Sequence, residues 1–189
     1  MTETPNPNIV DTDTLTGEMH PIRRCVLAIG SNLGERLNNL QGAVNTLADT
    51  PEVWLTAVSP VYETAPVDAP DGSLDFLNAV VLADTTLSAR TLLERALAVE
   101  DAYGRERTTE PNAPRTLDVD LIVVGDRQAN DADLVLPHPK AHERAFVLAP
   151  WHDLEPDAEL LGQGPVADLL QKVADQTITR RDDLSLNDQ

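Results

Sequence analysis

From Arg24 onward the apolar residues come either in short unbroken runs or in stripes at helical spacing, and the alternation predicts the elements. Arg24-Cys25-Val26-Leu27-Ala28-Ile29 is a near-continuous apolar run of strand length, expected to be buried. Gly30-Ser31-Asn32-Leu33-Gly34 turns the chain into a helix in which Leu37, Leu40, Val44 and Leu47 recur at helical spacing, closed by Pro51. Val53 to Thr64 reads as a second strand, interrupted near Pro60. The stretch from Ala65 to Ser73, with its prolines and glycine, is a loop. Phe76 to Ala83 is a third strand, and Ser88 is an N-cap for a helix running to Tyr103, with Leu92, Leu93, Ala96, Val99 and Tyr103 on its buried face and Gly104 as its stop. Arg105 to Pro114 is a charged loop. Leu134-Val135-Leu136 is a short edge strand, Ala141 to Leu148 a helix, and Val166 to Val173 a last helical segment. The polar first 21 residues are expected to be disordered, and the acidic tail over 175–189 to be frayed, leaving one domain over 22–174.

The order strand, helix, strand, strand, helix, strand predicts an α/β (α+β) domain of the ferredoxin-like type, an antiparallel sheet with helices on one face. Its fourth strand carries the most unusual chemistry. In Pro114-Arg115-Thr116-Leu117-Asp118-Val119-Asp120-Leu121-Ile122-Val123-Val124, side chains alternate between faces, so Asp118 and Asp120 share one face with Ile122 and Val124, and Leu117, Val119, Leu121 and Val123 take the other. Two carboxylates at the end of an apolar strand repel each other and need a cation. Few hard oxygen donors suit Mg²⁺ completed by substrate phosphates. An aspartate–arginine lattice that merely neutralises the strand end fits the same pattern.

Charge and composition narrow the choice. A net charge of −18 argues against general nucleic-acid or acidic-membrane binding. Within that acidic chain, five of the twelve arginines fall between Arg90 and Arg115, a concentration that suits a small, highly charged anion such as a phosphate chain. Arg90 and Arg95 are better read as decoration of a helix face. No apolar run reaches the ~18 residues of a membrane helix, and the first 20 residues lack Lys, Arg and an apolar core, so no signal peptide is expected. The single cysteine, Cys25, allows no intrachain disulfide, and a cytoplasmic protein is expected.

Pro114-Arg115-Thr116-Leu117-Asp118-Val119-Asp120 resembles the signature of the 6-hydroxymethyl-7,8-dihydropterin pyrophosphokinase family of folate biosynthesis. Ala28 to Gly34 resembles that family's opening strand and turn, and Tyr62 to Val67 with Asp75 to Ala79 its pterin-binding loop and strand. Glu100, Gly104-Arg105, Pro137-His138 and Arg144-Ala145-Phe146 follow in the same order, so the likeness spans roughly 24–155. It implies transfer of the terminal diphosphate of ATP to the hydroxymethyl group of the dihydropterin, with release of AMP. It implies two Mg²⁺ ions on Asp118 and Asp120, with Arg105 and Arg115 completing the catalytic set. Glu100, Arg105, Arg107, Arg115, Leu121, His138 and Arg144 would bind ATP. Thr64, Ala65, Pro66, Val67, Phe76, Asn78 and Phe146 would bind the pterin, the chain's only two phenylalanines stacking on its faces and Asn78 reading its edge. The partners implied are these small molecules, with a monomer expected and association with other folate enzymes a further expectation.

The chain departs from the family pattern at Pro111-Asn112-Ala113, where an Arg-Trp-Gly is usual, so slower or differently gated loop closure is expected. Phe76 replaces a frequent tyrosine and keeps the stacking face, while Val135 and Pro139 replace more polar or aromatic residues near the nucleotide. The missing Arg-Trp favours a rival reading, a non-catalytic ferredoxin-like module binding a metal–nucleotide or a protein. The set Asp118, Asp120, Arg115 and His138 opposes it.

Overall fold

The apolar run from Cys25 to Ile29 leaves the strand Arg23–Ser31 no stable place except the middle of a sheet, and that is where this strand, β1, lies. The computed structural model describes residues 20–66, 71–104 and 116–187. After β1 come helix α1 (Arg36–Ala48), β2 (Val53–Val58), β3 (Tyr62–Thr64), β4 (Phe76–Thr85), helix α2 (Ala89–Ala102) and β5 (Asp118–Val124). The hairpin β6 (Ala129–Asn130)/β7 (Val135–Leu136), a 3-10 turn over Ala141–Glu143 and helix α3 (Ala145–Leu154) follow. The hairpin β8 (Glu159–Leu160)/β9 (Gly164–Pro165), helix α4 (Val166–Lys172) and β10 (Ile178–Arg180) complete the described chain.

All pairings of the main sheet are antiparallel: β1 sits between β4 and β5, β2 and β3 share the far edge of β4, and β10 pairs with β3. This is the expected ferredoxin-like arrangement. The break between β2 and β3 falls at Pro60, which has no N–H to donate. Ser59 bridges the gap: its backbone N–H donates to Val80 O at 2.9 Å and its hydroxyl accepts from Val80 N at 2.8 Å.

Two apolar layers enclose the sheet. On one face Leu27, Ile29, Val81 and Val119 pack against Leu40, Val44 and Leu47 of α1 and Leu92, Ala96 and Val99 of α2. On the other, Val26, Val80, Leu82 and Ile122 pack against Val147, Leu148 and Trp151 of α3 and Val166 and Leu169 of α4. The expectation of helices on one face thus accounts for α1 and α2, and α3 and α4 add a second layer. Ser88 caps α2 as expected, its side chain accepting from Thr91 N at 3.0 Å, and Gly104 follows at φ 72°. Helix α3 begins at Ala145 rather than Ala141 and continues through Pro150; its strongly apolar run makes burial outweigh the lost backbone bond. Cys25 is fully buried, and burial pushes its thiol up to about 12.

Two further expectations change. Opposite Val26/Leu27 a bulge interrupts β5, so Val123 packs with the α3/α4 layer and Val124 with the α1/α2 layer, the reverse of strict alternation. The tail is not frayed: β10 adds an edge strand, Leu184 and Leu186 pack on the α1/α2 core, and Asn187 exchanges two 2.9 Å bonds with the Gln41 side chain. The expectation for the first 21 residues falls outside the described chain except at His20 and Pro21.

Gly42 of α1 makes room for the side chain of Tyr103, the C-cap of α2, because a Cβ there would meet the Tyr103 hydroxyl at 1.9 Å and its ring at 2.3 Å. Gly42→Ala is therefore expected to lose roughly 1–2 kcal/mol of stability, overpacking outweighing the gain in helix propensity. Urea unfolding reads this directly, and a stabilised variant would mean that the Tyr103 ring swings aside.

Candidate functional site

Antiparallel register places Asp118 of β5, Gly30 of β1, Asn78 of β4 and Tyr62 of β3 side by side in one row on the α3-facing side of the sheet. Asp120, Ala28 and Val80 form the next row. Where α3 does not reach, these rows floor a cavity of about 430 Å³. Its walls hold Thr64, Ala65, Pro66 and Phe76 at one end, Asp118 and Asp120 at the other, and Lys140, Glu143, Arg144, Phe146 and Gln176 from the segments around α3.

Gly30 separates the two ends. Strands lie about 4.8 Å apart, so Asp118 and Asn78, two strands away from each other, are roughly 10 Å apart with nothing but backbone between them. A Cβ on Gly30 would come within 2.9 Å of Asn78 Oδ1 and 3.6 Å of the Phe76 ring. The Asn78 amide is itself held: Nδ2 donates to Thr64 Oγ1 at 2.8 Å, which orients its oxygen beside Gly30. The approach to Asp118 is fixed by Asn39, whose Nδ2 lies 3.2 Å from Thr116 O, 3.0 Å from Leu33 O and 3.2 Å from Ser31 Oγ.

Glu100 does not line the cavity. It is buried on α2, and its Oε1 accepts from Val119 N at 2.9 Å, satisfying an N–H of β5 between the two aspartates. Leu121 is buried on the opposite face of the sheet, in the α1/α2 core. His138 also stands outside the lining residues; its Nδ1 accepts from Lys140 N at 3.2 Å. Val67, Arg105, Arg107, Arg115 and the Pro111-Asn112-Ala113 segment lie outside the described residues. Lys140, Glu143, Gln176, Gly30 and Asn39 were not singled out from the sequence. For Gly30 and Asn39 the available signal was their place around the turn after β1; for the others there was none.

The opposing charges are arranged in two banks. Asp118 and Asp120 face a wall bearing Lys140 and Arg144, and the Arg144 guanidinium lies 5.5 Å over the Phe146 ring. Among the described residues no group of three or more His, Cys, Asp and Glu is placed to hold an ion. The donor set is therefore two hard carboxylates opening on a cavity, which fits Mg²⁺, an ion that keeps several waters and takes substrate oxygens rather than an all-protein cage.

Fold and cavity together define an α+β protein whose sheet floors a cavity running from a carboxylate end to an aromatic, amide-bearing end. A family model for 7,8-dihydro-6-hydroxymethylpterin-pyrophosphokinase (HPPK) matches residues 26–156. The chain is 40% identical over 157 residues to a 2-amino-4-hydroxy-6-hydroxymethyldihydropteridine pyrophosphokinase of Methylorubrum extorquens, covering 83% of this chain and 98% of that one. It is 42% identical over 163 residues to the protein of the same name from Mycobacterium tuberculosis, covering 79% and 84%. In fold it resembles wild-type Plasmodium falciparum HPPK-DHPS, with a TM-score of 0.63 at 13% identity over 82% of this chain; it spans less than half, 45%, of that longer chain. The chain belongs to the HPPK family.

Burial first, then the cations of Arg144 and Lys140, pushes His138 down to about 4. It is thus neutral at pH 7, and acid erodes stability: between the unfolded value of about 6.5 and the folded one the unfolded chain takes up a proton that the native state refuses. An NMR titration should place the His138 midpoint near 4; a midpoint near 6.5 would contradict the packing described.

Proposed function

We propose that the cavity binds ATP phosphates at its Asp118/Asp120 end and the dihydropterin at its Phe76/Asn78 end, across Gly30. As a pyrophosphokinase of this family, the protein transfers diphosphate from ATP to the hydroxymethyl group of 6-hydroxymethyl-7,8-dihydropterin and releases AMP. The observation that carries the assignment of ends is the single row Asp118–Gly30–Asn78. It sets a hydrogen-bonding amide and a phosphate-directed carboxylate about one small heterocycle apart, with no side chain in between.

In this reading the Phe76 and Phe146 rings cover the two faces of the pterin. Asn78, locked by Thr64, offers its oxygen to the donor edge of the ring. Arg144 and Lys140 offset phosphate charge from the wall opposite the aspartates. The hydroxymethyl oxygen then forms its bond to the β-phosphorus as the bond from that phosphorus to AMP breaks, a displacement that depends mainly on positioning. Asp118 and Asp120 would hold two Mg²⁺ ions, which when bound neutralise the phosphates and help align attacking and leaving oxygens. Glu100 acts beneath the site by holding Val119, and Leu121 supports the same strand from the core side. Arg105, Arg107 and Arg115 complete the phosphate clamp in the same reading, His138 contributing as a neutral donor through Nε2, since its Nδ1 already accepts from Lys140 N.

The same reading takes the protein as a cytoplasmic monomer; among the described residues no helix is long and apolar enough to cross a membrane. Association with other folate enzymes belongs to it too, motivated by the joining of HPPK to DHPS in one P. falciparum chain.

Incubation with Mg-ATP and 6-hydroxymethyl-7,8-dihydropterin should release AMP above a no-pterin control, and Asp118→Asn or Asp120→Asn should lower kcat at least about a hundredfold without lowering Tm. A wild-type rate in either variant would remove the carboxylates from the reaction. Gly30→Ala should raise KM for the dihydropterin about tenfold by displacing the Asn78 amide, with a smaller effect on KM for ATP. Equal changes for both substrates would argue against the division of the cavity at Gly30.

A further inference from the structure

Beyond the residues 26–156 that the family model matches, the chain returns to the cavity at Gln176. Both ends of this side-chain amide are used. Its Oε1 accepts from Ala145 N at 2.9 Å and its Nε2 donates to Glu143 O at 2.7 Å. The two partners flank Arg144, and Phe146 is the next residue. The first N–H groups of a helix have no partner within it, and the N-cap of α3, Arg144, makes no side-chain cap bond. Gln176 therefore supplies from 31 residues downstream the cap that α3 lacks locally. A side chain here must accept and donate at once, which an amide does and a carboxylate or ammonium does not.

The strap that carries Gln176 is tied on both sides of the sheet edge. Ile178 packs on the α3/α4 core and β10 pairs with β3. Arg181 N donates to Val61 O at 2.8 Å, and its guanidinium reaches Glu63 Oε1 at 3.1 Å, while Arg36 holds Glu63 Oε2 at 2.7 Å. The position of Gln176 is thus set by β10 and by Arg36 of α1, which do not line the cavity, together with β3, which reaches it at Thr64.

We propose that Gln176 is a positioning residue: by clamping the turn from Glu143 to Ala145 it holds the Arg144 guanidinium and the Phe146 ring against the cavity and so sets substrate affinity. This rests on the functional reading above. The opposing possibility is that Gln176 merely staples the tail to the domain.

The test uses the full chain, binding of 6-hydroxymethyl-7,8-dihydropterin by calorimetry, and steady-state kinetics well below Tm. Gln176→Met keeps the stem and removes both hydrogen bonds. It should raise Kd and KM for the dihydropterin about fivefold, the effect of roughly one net hydrogen bond, with kcat changed by less than about twofold. Gln176→Glu, which keeps an oxygen toward Ala145 N, should recover part of the loss, and serves also if the methionine variant folds poorly. Gln41→Ala cuts the far tie to Asn187 and should lower Tm with Kd unchanged. If Gln176→Met loses Tm as Gln41→Ala does but binds as wild type, the staple is the whole role and the proposal is overturned. A wild-type protein that binds no dihydropterin would instead sink the functional reading, and this proposal with it.

Discussion

Strand β1 bonds to β4 along one edge and to β5 along the other, and apolar layers cover both of its faces until it nears Gly30. A strand so placed admits no polar side chain along most of its length, since an unpaired polar group there costs several kcal/mol. The cover ends where α3 ends, and at that point the strand presents a residue with no side chain at all. Asp118, Asn78, Thr64 and Phe76 project from neighbouring strands around this bare patch of backbone. Their spacing follows from strand separation, so the floor of the cavity is dimensioned by the sheet, while its walls come from the segments after β3 and around α3.

The charges follow the same logic. Glu100 is buried beneath the aspartate strand, where its carboxylate serves a backbone N–H that no neighbouring strand of the main sheet reaches. Above it Asp118 and Asp120 line the same cavity as Lys140 and Arg144. An acidic protein thus keeps a narrow polar gradient from carboxylate to guanidinium across one cavity. His138 stands outside the cavity, and burial first, with the cations of Arg144 and Lys140 adding to it, keeps a proton off its ring.

Much of this was legible from residue order. The unbroken apolar run of β1 and the helical stripes of α1 and α2 are strong periodic signals, and the period of two put Asp118 and Asp120 on one face correctly. Alternation failed at Val123 and Val124 because a bulge inserts a residue without leaving a mark in hydrophobicity. The tail was misread for a related reason. Its polar, acidic composition resembles a frayed end, yet its hold on the domain comes from backbone pairing, from Arg181 on Glu63 and from the Gln41 amide on Asn187, partners more than a hundred residues apart in sequence. Gln176 was invisible for the same cause, as a lone glutamine has no periodicity to betray it. Family register drew Phe76 and Phe146 to the site where composition alone would have assigned them to the core, and both line the cavity with Asn78. It also drew Glu100 and Leu121 into the site, and both lie one layer below it.

The long-range cap on α3 has a consequence for synthesis. Domains form from the N-terminus as the chain emerges, and α3 is made well before the glutamine that satisfies its first N–H. A nascent chain thus holds β1 to β5, with their carboxylates and their amide, before the support of the Arg144–Phe146 wall has been made. If Gln176 sets substrate affinity, the Arg144–Phe146 wall gains its support only once the chain beyond α4 has been made.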